Sequence, residues 1–203
     1  MFTGLIKTQG TIRRVDQRGD CMVTIAMSEP FPAEVGDSIC CQGICLTVIK
    51  INDNEFKVSL SAETMTRTVA RDWAVGTVLN LEPSLSVGDA LGGHFVSGHV
   101  DGLAHVVRSE KSGDSTIWEF EAPPHLARFI AAKGSVTLDG VSLTVNEVHE
   151  RNTPTPVTTF TVNIIPHTAK MTSFGQLKVG DAVNLEVDMI ARYVARLAEK
   201  KIA

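Results

Sequence analysis

At 203 residues, 43% hydrophobic and 21% charged, the chain has the composition of a folded globular protein and the length of one large domain or two of about 100 residues. Its formal net charge of −4, with nineteen Lys and Arg scattered along it, excludes the clustered basic face that binding to a phosphate backbone needs. No window approaches eighteen consecutive apolar residues, and the opening Met1-Phe2-Thr3-Gly4-Leu5-Ile6-Lys7 has neither the basic leader nor the apolar run of a signal peptide, so a cytoplasmic protein without a membrane span is expected.

In chain order, short β-branched segments bounded by turn residues predict strands over 45–51, 56–60 and 78–81, with turns at Gly36-Asp37, Asp53-Asn54 and Gly88-Asp89. The second half predicts strands over 135–138, 143–148, 158–164 and 182–187, with turns at Asp139-Gly140 and Gly180-Asp181. Brief helices are expected after Ser61 and Pro166. Asp188 can cap a last helix from Met189 to about Lys200, in which Ile190, Tyr193, Val194 and Leu197 recur at helical spacing. That stripe has two readings, packing on the second half or meeting the same helix in other subunits. Lys200 and Lys201 read as its solvated tail. Many short, evenly spaced strands imply closed or nearly closed barrels, which hide sheet edges. Four cysteines, Cys21, Cys40, Cys41 and Cys45, form no C-x-x-C pair. Neighbouring strand positions face opposite ways, so Cys40 and Cys41 cannot serve one metal, and reduced thiols are expected.

The chain repeats itself. Gly43-Ile44-Cys45-Leu46-Thr47-Val48 matches Gly140-Val141-Ser142-Leu143-Thr144-Val145 at an offset of 97. Phe56-Lys57-Val58 matches Phe160-Thr161-Val162 at an offset of 104, which also aligns Thr64 with Thr168 and Asn80-Leu81-Glu82 with Asn184-Leu185-Glu186. The shift falls where Asn152-Thr153-Pro154-Thr155-Pro156 has the composition of a surface loop. Thr3-Gly4-Leu5-Ile6 aligns more loosely with Ser97-Gly98-His99-Val100. A period of about 100 residues is too long for a solenoid and means two whole domains of one fold. The expected division is 1–96, 97–187 and a helix over 188–203.

No nucleotide-binding fingerprint is present. Gly92-Gly93-His94-Phe95-Val96-Ser97-Gly98 lacks the Lys-Ser/Thr ending of a phosphate loop. His94, His99 and His105 leave a three-histidine metal site open. More informative is the duplicated strand, in which Cys45 and Thr47, like Ser142 and Thr144, share one face while apolar residues take the other. Such small polar groups can hydrogen-bond the edge of a flat heterocycle. They also suit an ordinary core strand.

Taken together and in order, five segments resemble the riboflavin synthase family over essentially the whole chain. They are Met1-Phe2-Thr3-Gly4-Leu5-Ile6, the segment from Gly43, Gly92-Gly93-His94-Phe95-Val96-Ser97-Gly98-His99-Val100-Asp101, the segment from Gly140, and Asn163-Ile164-Ile165-Pro166-His167-Thr168. The resemblance implies an all-β chain of two tandem six-stranded Greek-key barrels plus a C-terminal α-helix that joins a homotrimer. Each barrel would bind one 6,7-dimethyl-8-ribityllumazine, and the amino-terminal barrel of one subunit would face the carboxy-terminal barrel of a neighbour. Transfer of a four-carbon unit between the two substrates would give riboflavin and 5-amino-6-ribitylamino-uracil, with no metal or organic cofactor.

By the same resemblance, the first pocket takes Gly4, Leu5, Ile6, Cys45, Leu46, Thr47, Ser59, Leu60, Ser61, Ala62, Glu63 and Thr64. The second takes Gly98, His99, Val100, Ser142, Leu143, Thr144, Asn163, Ile164, Ile165, Pro166, His167 and Thr168. Lys133 is expected to reach a ligand on the neighbouring subunit. Catalytic candidates are His99, Cys45, Ser142, Thr144 and Phe2, followed by Ser38 and Asp188. His99, as an imidazole, suits a proton shuttle, or is structural. Cys45 polarises or adds to the ring, strongly only as a thiolate, or lines the pocket. Ser142 stands at the position of Cys45, so the two pockets differ in chemistry there. Thr47 and Thr144 suit ligand hydrogen bonds. Phe2 stacks on a ring or closes the barrel, and Asp188 orients a water or caps the helix. His167 stands where the first copy has Glu63. The competing function is a light-emission antenna protein that holds lumazine or flavin without turnover. Such chains look degenerate in one barrel, whereas both copies here keep Leu-Thr-Val. A plain oligomeric binding module leaves the ordered motifs unexplained.

Overall fold

The computed structural model describes residues 1–17, 20–151 and 157–199. The loop expected at 152–156 and the tail Lys200-Lys201 lie outside the described residues. Strands β1 (Thr8–Asp16), β2 (Cys21–Met27), β3 (Ser38–Cys41), β4 (Ile44–Asn52), β5 (Glu55–Leu60) and β6 (Val78–Pro83) close a barrel in the order β1-β2-β5-β4-β3-β6. Strands β7 (Gly102–Ser112), β8 (Ser115–Ala122), β9 (Ser135–Leu138), β10 (Val141–Arg151), β11 (Val157–Ile164) and β12 (Ala182–Val187) close a second barrel with the same cyclic order. Helices α1 (Ala62–Arg67) and α2 (Pro166–Met171) occupy equivalent places after β5 and β11, and α3 (Met189–Glu199) follows β12. No helix among the described residues is long and apolar enough to cross a membrane.

Each barrel core comes from period-two alternation. Val23 and Ile25 of β2 and Phe56, Val58 and Leu60 of β5 fill the first. Phe120 and Phe160 stack at 5.7 Å in the second, with Phe174 edge-on at 6.5 Å. Burying one such side chain stabilises by about 1.5–3 kcal/mol. A bulge interrupts each long strand at its corner, between Ile12 and Arg14, Val48 and Lys50, Val106 and Arg108, and Val145 and Glu147. These bends let strands of nine to eleven residues wrap a small barrel. Cys41 joins the first core and Cys40 a separate cluster with Phe2 and Val96, as opposite faces require. All four cysteines are free.

The two barrels are bound together by repeated, two-way contacts. Phe2 and Val96 pair antiparallel, with Phe2 N donating to Val96 O at 2.8 Å and Val96 N to Phe2 O at 3.1 Å. Gly43 and Gly140 meet so closely that a Cβ on either would lie 2.8 Å from the other's backbone nitrogen. Asn80 Nδ2 donates to Asp139 O at 2.9 Å, and Asn184 Nδ2 to Gln42 O at 2.8 Å. Within each barrel Gln42 Oε1 accepts from Asn80 N, and Asp139 Oδ1 from Asn184 N, both at 2.8 Å. No buried side-chain nitrogen or oxygen among the described residues lacks a partner.

This ladder is unequal at one point. Gln42 is neutral, whereas Asp139 puts a carboxyl in the same setting, and burial pushes its pKa up to about 7. The folded chain therefore keeps a proton that the unfolded chain releases near its ordinary value of 3.8. The stability linked to that proton is full below about pH 4 and is lost as pH rises through 7. Burial also raises the Glu82 and Glu186 pKa values, in the same direction. Asp139→Asn should therefore be more stable than the parent at pH 8, by a few kcal/mol at most, with the gap closing near pH 4. Thermal unfolding midpoints across that range check this. A variant less stable than the parent at pH 8 contradicts it.

Candidate functional site

The segment before each barrel's first strand is anchored on its own barrel and delivered to the other. Glu82 at the end of β6 holds residues 3 and 4. Its Oε1 accepts from Thr3 N and Oγ1 at 2.7 and 2.6 Å, and its Oε2 from Gly4 N at 2.9 Å. Glu186 on β12 holds Ser97 N and Oγ at 2.7 Å each and Gly98 N at 2.9 Å. Beyond these clamps the chains cross. Gly98 O accepts from Cys45 N, and Gly4 O from Ser142 N, both at 2.8 Å. Val100 then packs on the core of the first barrel and Ile6 on that of the second. Only glycine suits the crossing points. Gly4 and Gly98 have φ of +76° and +75°, and an added Cβ would sit 2.5 Å from Ser142 Cβ or 2.6 Å from Cys45 Cβ.

The crossing corrects the expected pairing. Gly98, His99 and Val100 belong with Cys45, Glu63 and Thr64, and together with Arg67 and Asp101 they line a cavity of about 310 Å³ on the first barrel. Gly4, Leu5 and Ile6 belong with Ser142 on the second barrel. In register, His99 answers Leu5, Cys45 answers Ser142, Glu63 answers His167 and Arg67 answers Met171. The first pocket is thus the more polar, with Arg67 Nε on Glu63 Oε1 at 2.6 Å. Two further grooves, about 310 and 510 Å³, flank the barrels beside Lys50 and Lys57 or Arg108 and Glu119. Neither receives a crossing segment.

Other expected residues sort by burial. Leu46, Leu60 and Ile164 aim into barrel cores and can offer a pocket only backbone. Leu143 is half-buried against the second core. Thr47, Thr144 and Asn163 are exposed, and Ser59 is half-buried on β5. Ser61 caps α1, accepting from Thr64 N at 3.2 Å, and Ala62 begins that helix. Ile165 and Pro166 stand at the start of α2, with His167 exposed and Thr168 half-buried behind them. Phe2 is 0% exposed between Cys40 and Val96, so it closes the barrels together and presents no face to a ligand. Asp188 Oδ1 accepts from Ile190 N at 2.9 Å, the helix-cap role. Ser38 pairs with Thr47 between β3 and β4, outside the cavity lining. Lys133 is exposed with φ of 66° before β9, also outside that lining.

The residue the sequence did not single out for proton chemistry is His94. Its Nδ1 lies 2.7 Å from Ser142 Oγ and its Nε2 3.1 Å from Thr137 Oγ1. Burial lowers its pKa and favours the neutral ring, against the smaller opposing pull of the Asp188 charge. A neutral imidazole on a hydroxyl can take or return that hydroxyl's proton. The signal was its place in Gly92-Gly93-His94, one residue after Gly93, whose added Cβ would lie 3.1 Å from Ser142 Oγ. His94, His99 and His105 form no metal cluster; among the described residues no group of three His, Cys, Asp or Glu does.

If Glu186 delivers the segment that covers Cys45, Glu186→Gln should speed alkylation of the Cys45 thiol about tenfold, the loss of one charge-assisted bond. Glu82→Gln should leave that rate unchanged. Equal effects of the two variants would contradict the crossed arrangement.

The lumazine binding domain model matches residues 3–84 and 97–188. Riboflavin synthase of Brucella abortus is 42% identical, covering 98% of each chain. That of Bacillus subtilis is 39% identical over 98% of this chain and 91% of its own. Among solved structures, LumP complexed with 6,7-dimethyl-8-(1'-D-ribityl) lumazine superimposes with a TM-score of 0.77, at 23% identity, over 92% of this chain and 99% of that one, a likeness of fold. With both repeats matched and full-length relatives of this similarity, the chain belongs to the riboflavin synthase family of lumazine-binding-domain proteins.

Proposed function

We propose that the protein is a riboflavin synthase, a transferase that takes two molecules of 6,7-dimethyl-8-ribityllumazine, one per barrel. It moves a four-carbon unit from one to the other, leaving riboflavin and 5-amino-6-ribitylamino-uracil. Two substrate molecules balance these two products, so no external oxidant or reductant enters. The observation that carries this reading is the duplicated pocket frame. Each barrel retains its Leu-Thr-Val strand, a small polar residue before it (Cys45 or Ser142) and a clamped crossing segment. An antenna protein needs one such site, whereas a reaction between two identical molecules needs two.

The chemistry asks for modest help. The lumazine C7 methyl is acidic because its anion spreads into the electron-poor ring, so placement and proton transfer carry most of the reaction. In this reading, the His94–Ser142 pair exchanges a proton with the ligand of the second barrel. His99 and Cys45 do so at the first, with Thr64 and Glu63 binding the ligand there. Thr144, Thr168 and His167 line the second site. Lys133 reaches the ligand of a neighbouring subunit.

The assembly we propose is a homotrimer in the cytoplasm. Ile190, Tyr193, Val194 and Leu197 stand 59–65% exposed along one side of α3, and a second copy of the helix is a chemically matched cover for them. Free cysteines agree with a reducing compartment.

Incubated with the lumazine alone, the protein should form one riboflavin for every two lumazines consumed. Tight binding without riboflavin would instead establish the antenna reading. Val194→Asp should shift the protein toward the monomer in sedimentation. If a neighbour completes the reaction site, turnover should fall on the order of a hundredfold, while lumazine affinity stays within about threefold. Unchanged turnover in a monomer would refute the shared site.

A further inference from the structure

One feature beside the first barrel's pocket has no counterpart in the amino-terminal segment that crosses to the second barrel. Residue 101 ends the crossing segment, and its N–H donates to Leu185 O at 2.8 Å. Its equivalent, Lys7, makes the same backbone bond to Leu81 O at 2.9 Å and carries no acid. Asp101, its side chain only 12% exposed, accepts from Val187 N at 2.9 Å and from Arg192 Nη2 at 2.8 Å. Arg192 lies on α3 one turn beyond Asp188, whose carbonyl accepts from Arg192 N at 3.2 Å. At the other end of α3, Glu199 reaches Arg128 of the second barrel at 2.6 Å. The helix is thus tied at one end to the barrel it follows, and at the other to the segment that covers Cys45.

We propose that Arg192 is a positioning residue: through Asp101 it lets helix α3 set how firmly residues 97–101, with His99, close the first barrel's pocket. The physical reason is the order of attachment. Glu186 fixes the start of the segment at Ser97 and Gly98, and Asp101 fixes its end. His99, between them, is exposed, and its N–H donates to Ser97 Oγ at a long 3.3 Å. An anchored end narrows the range that His99 and Val100 can sample over Cys45 and Thr64. Removing the guanidinium leaves the Asp101 carboxylate, among the described residues, with Val187 N as its hydrogen-bond donor. What changes is the segment's freedom, while the fold of either barrel stays.

This inference rests on the riboflavin synthase reading only for its ligand-bound readout, so the test has two arms. In the ligand-free arm, alkylation of Cys45 by iodoacetamide is followed in the parent, Arg192→Met and Arg192→Lys. Cys45 is the half-buried cysteine beneath Gly98, and Cys21, Cys40 and Cys41 are buried. Arg192→Met should react about fivefold faster, the upper range for a partly exposed ion pair, and Arg192→Lys should return most of the way to the parent. The parent rate should rise toward that of Arg192→Met near 1 M salt, where screening acts within about 3 Å. In the second arm, lumazine binding should weaken at the first barrel's pocket by a similar factor, raising KM more than it lowers kcat.

Asp101→Asn keeps an acceptor for Val187 N and removes the charge. It covers the case in which Arg192→Met fails to fold, and it should behave as Arg192→Met does. Equal alkylation rates in parent, Arg192→Met and Asp101→Asn overturn the proposal, as does a loss that Arg192→Lys does not rescue. If the parent binds no lumazine, the functional reading fails, while the alkylation arm still decides the role of Arg192.

Discussion

The structure depends on two buried carboxylates that hold backbone rather than partner a base. Glu82 and Glu186 each gather two N–H groups and a hydroxyl from the segment that precedes their own barrel's first strand. Burying a carboxylate is costly without such donors, and the raised pKa of each glutamate records the residual strain of desolvation. Once the carboxylates are in place, the segments leave toward the opposite barrel, where Gly4 O meets Ser142 N and Gly98 O meets Cys45 N. The Gly43–Gly140 contact and the Phe2–Val96 bridge then follow, since the barrels must approach closely enough for a short segment to reach from one to the other. The candidate pockets are a consequence of this exchange, because each is roofed by residues of the other half.

That exchange also explains how two copies of one fold acquire different chemistry. The strand faces Cys45–Thr47 and Ser142–Thr144 are near duplicates, but the roofs are not. The first pocket receives His99 and Asp101, at the positions where the amino-terminal segment carries Leu5 and Lys7. His94, on the same connecting segment, leans back on Ser142. One eight-residue stretch, 94–101, therefore supplies polar groups to both barrels. A reaction that joins two identical molecules needs some such inequality to assign them different parts.

Much of this was legible from the chain. The seven strands predicted from alternation all form, as do the three helices and the turns at Gly36-Asp37, Asp53-Asn54, Gly88-Asp89 and Asp139-Gly140. Strands β1, β2, β3, β7 and β8 were not read. In β1 and β7 a bulge shifts the alternation midway and the outer halves are polar, so period two is lost. β3 is only four residues, with Ile39, Cys40 and Cys41 all buried because it lies between the two barrels. The pairing of Gly4 with Cys45 failed for a different reason. Sequence order places residues 3–6 with the first repeat, and the glutamates that send them elsewhere lie 79 and 89 residues away from the threonine and serine they hold. Long-range hydrogen bonds leave no periodic trace. The side chains of Phe2 and Leu60 turn inward, which membership of a shared motif does not reveal.

The most direct measurement of the crossed-pocket account is a crystal structure of the protein with riboflavin or the lumazine bound. The account predicts that a ligand on the first barrel touches Cys45 and Thr64 together with His99 of the second repeat, and that a ligand on the second touches Ser142 together with Leu5. A ligand held by Cys45 and Leu5, with His99 beside Ser142, would contradict it.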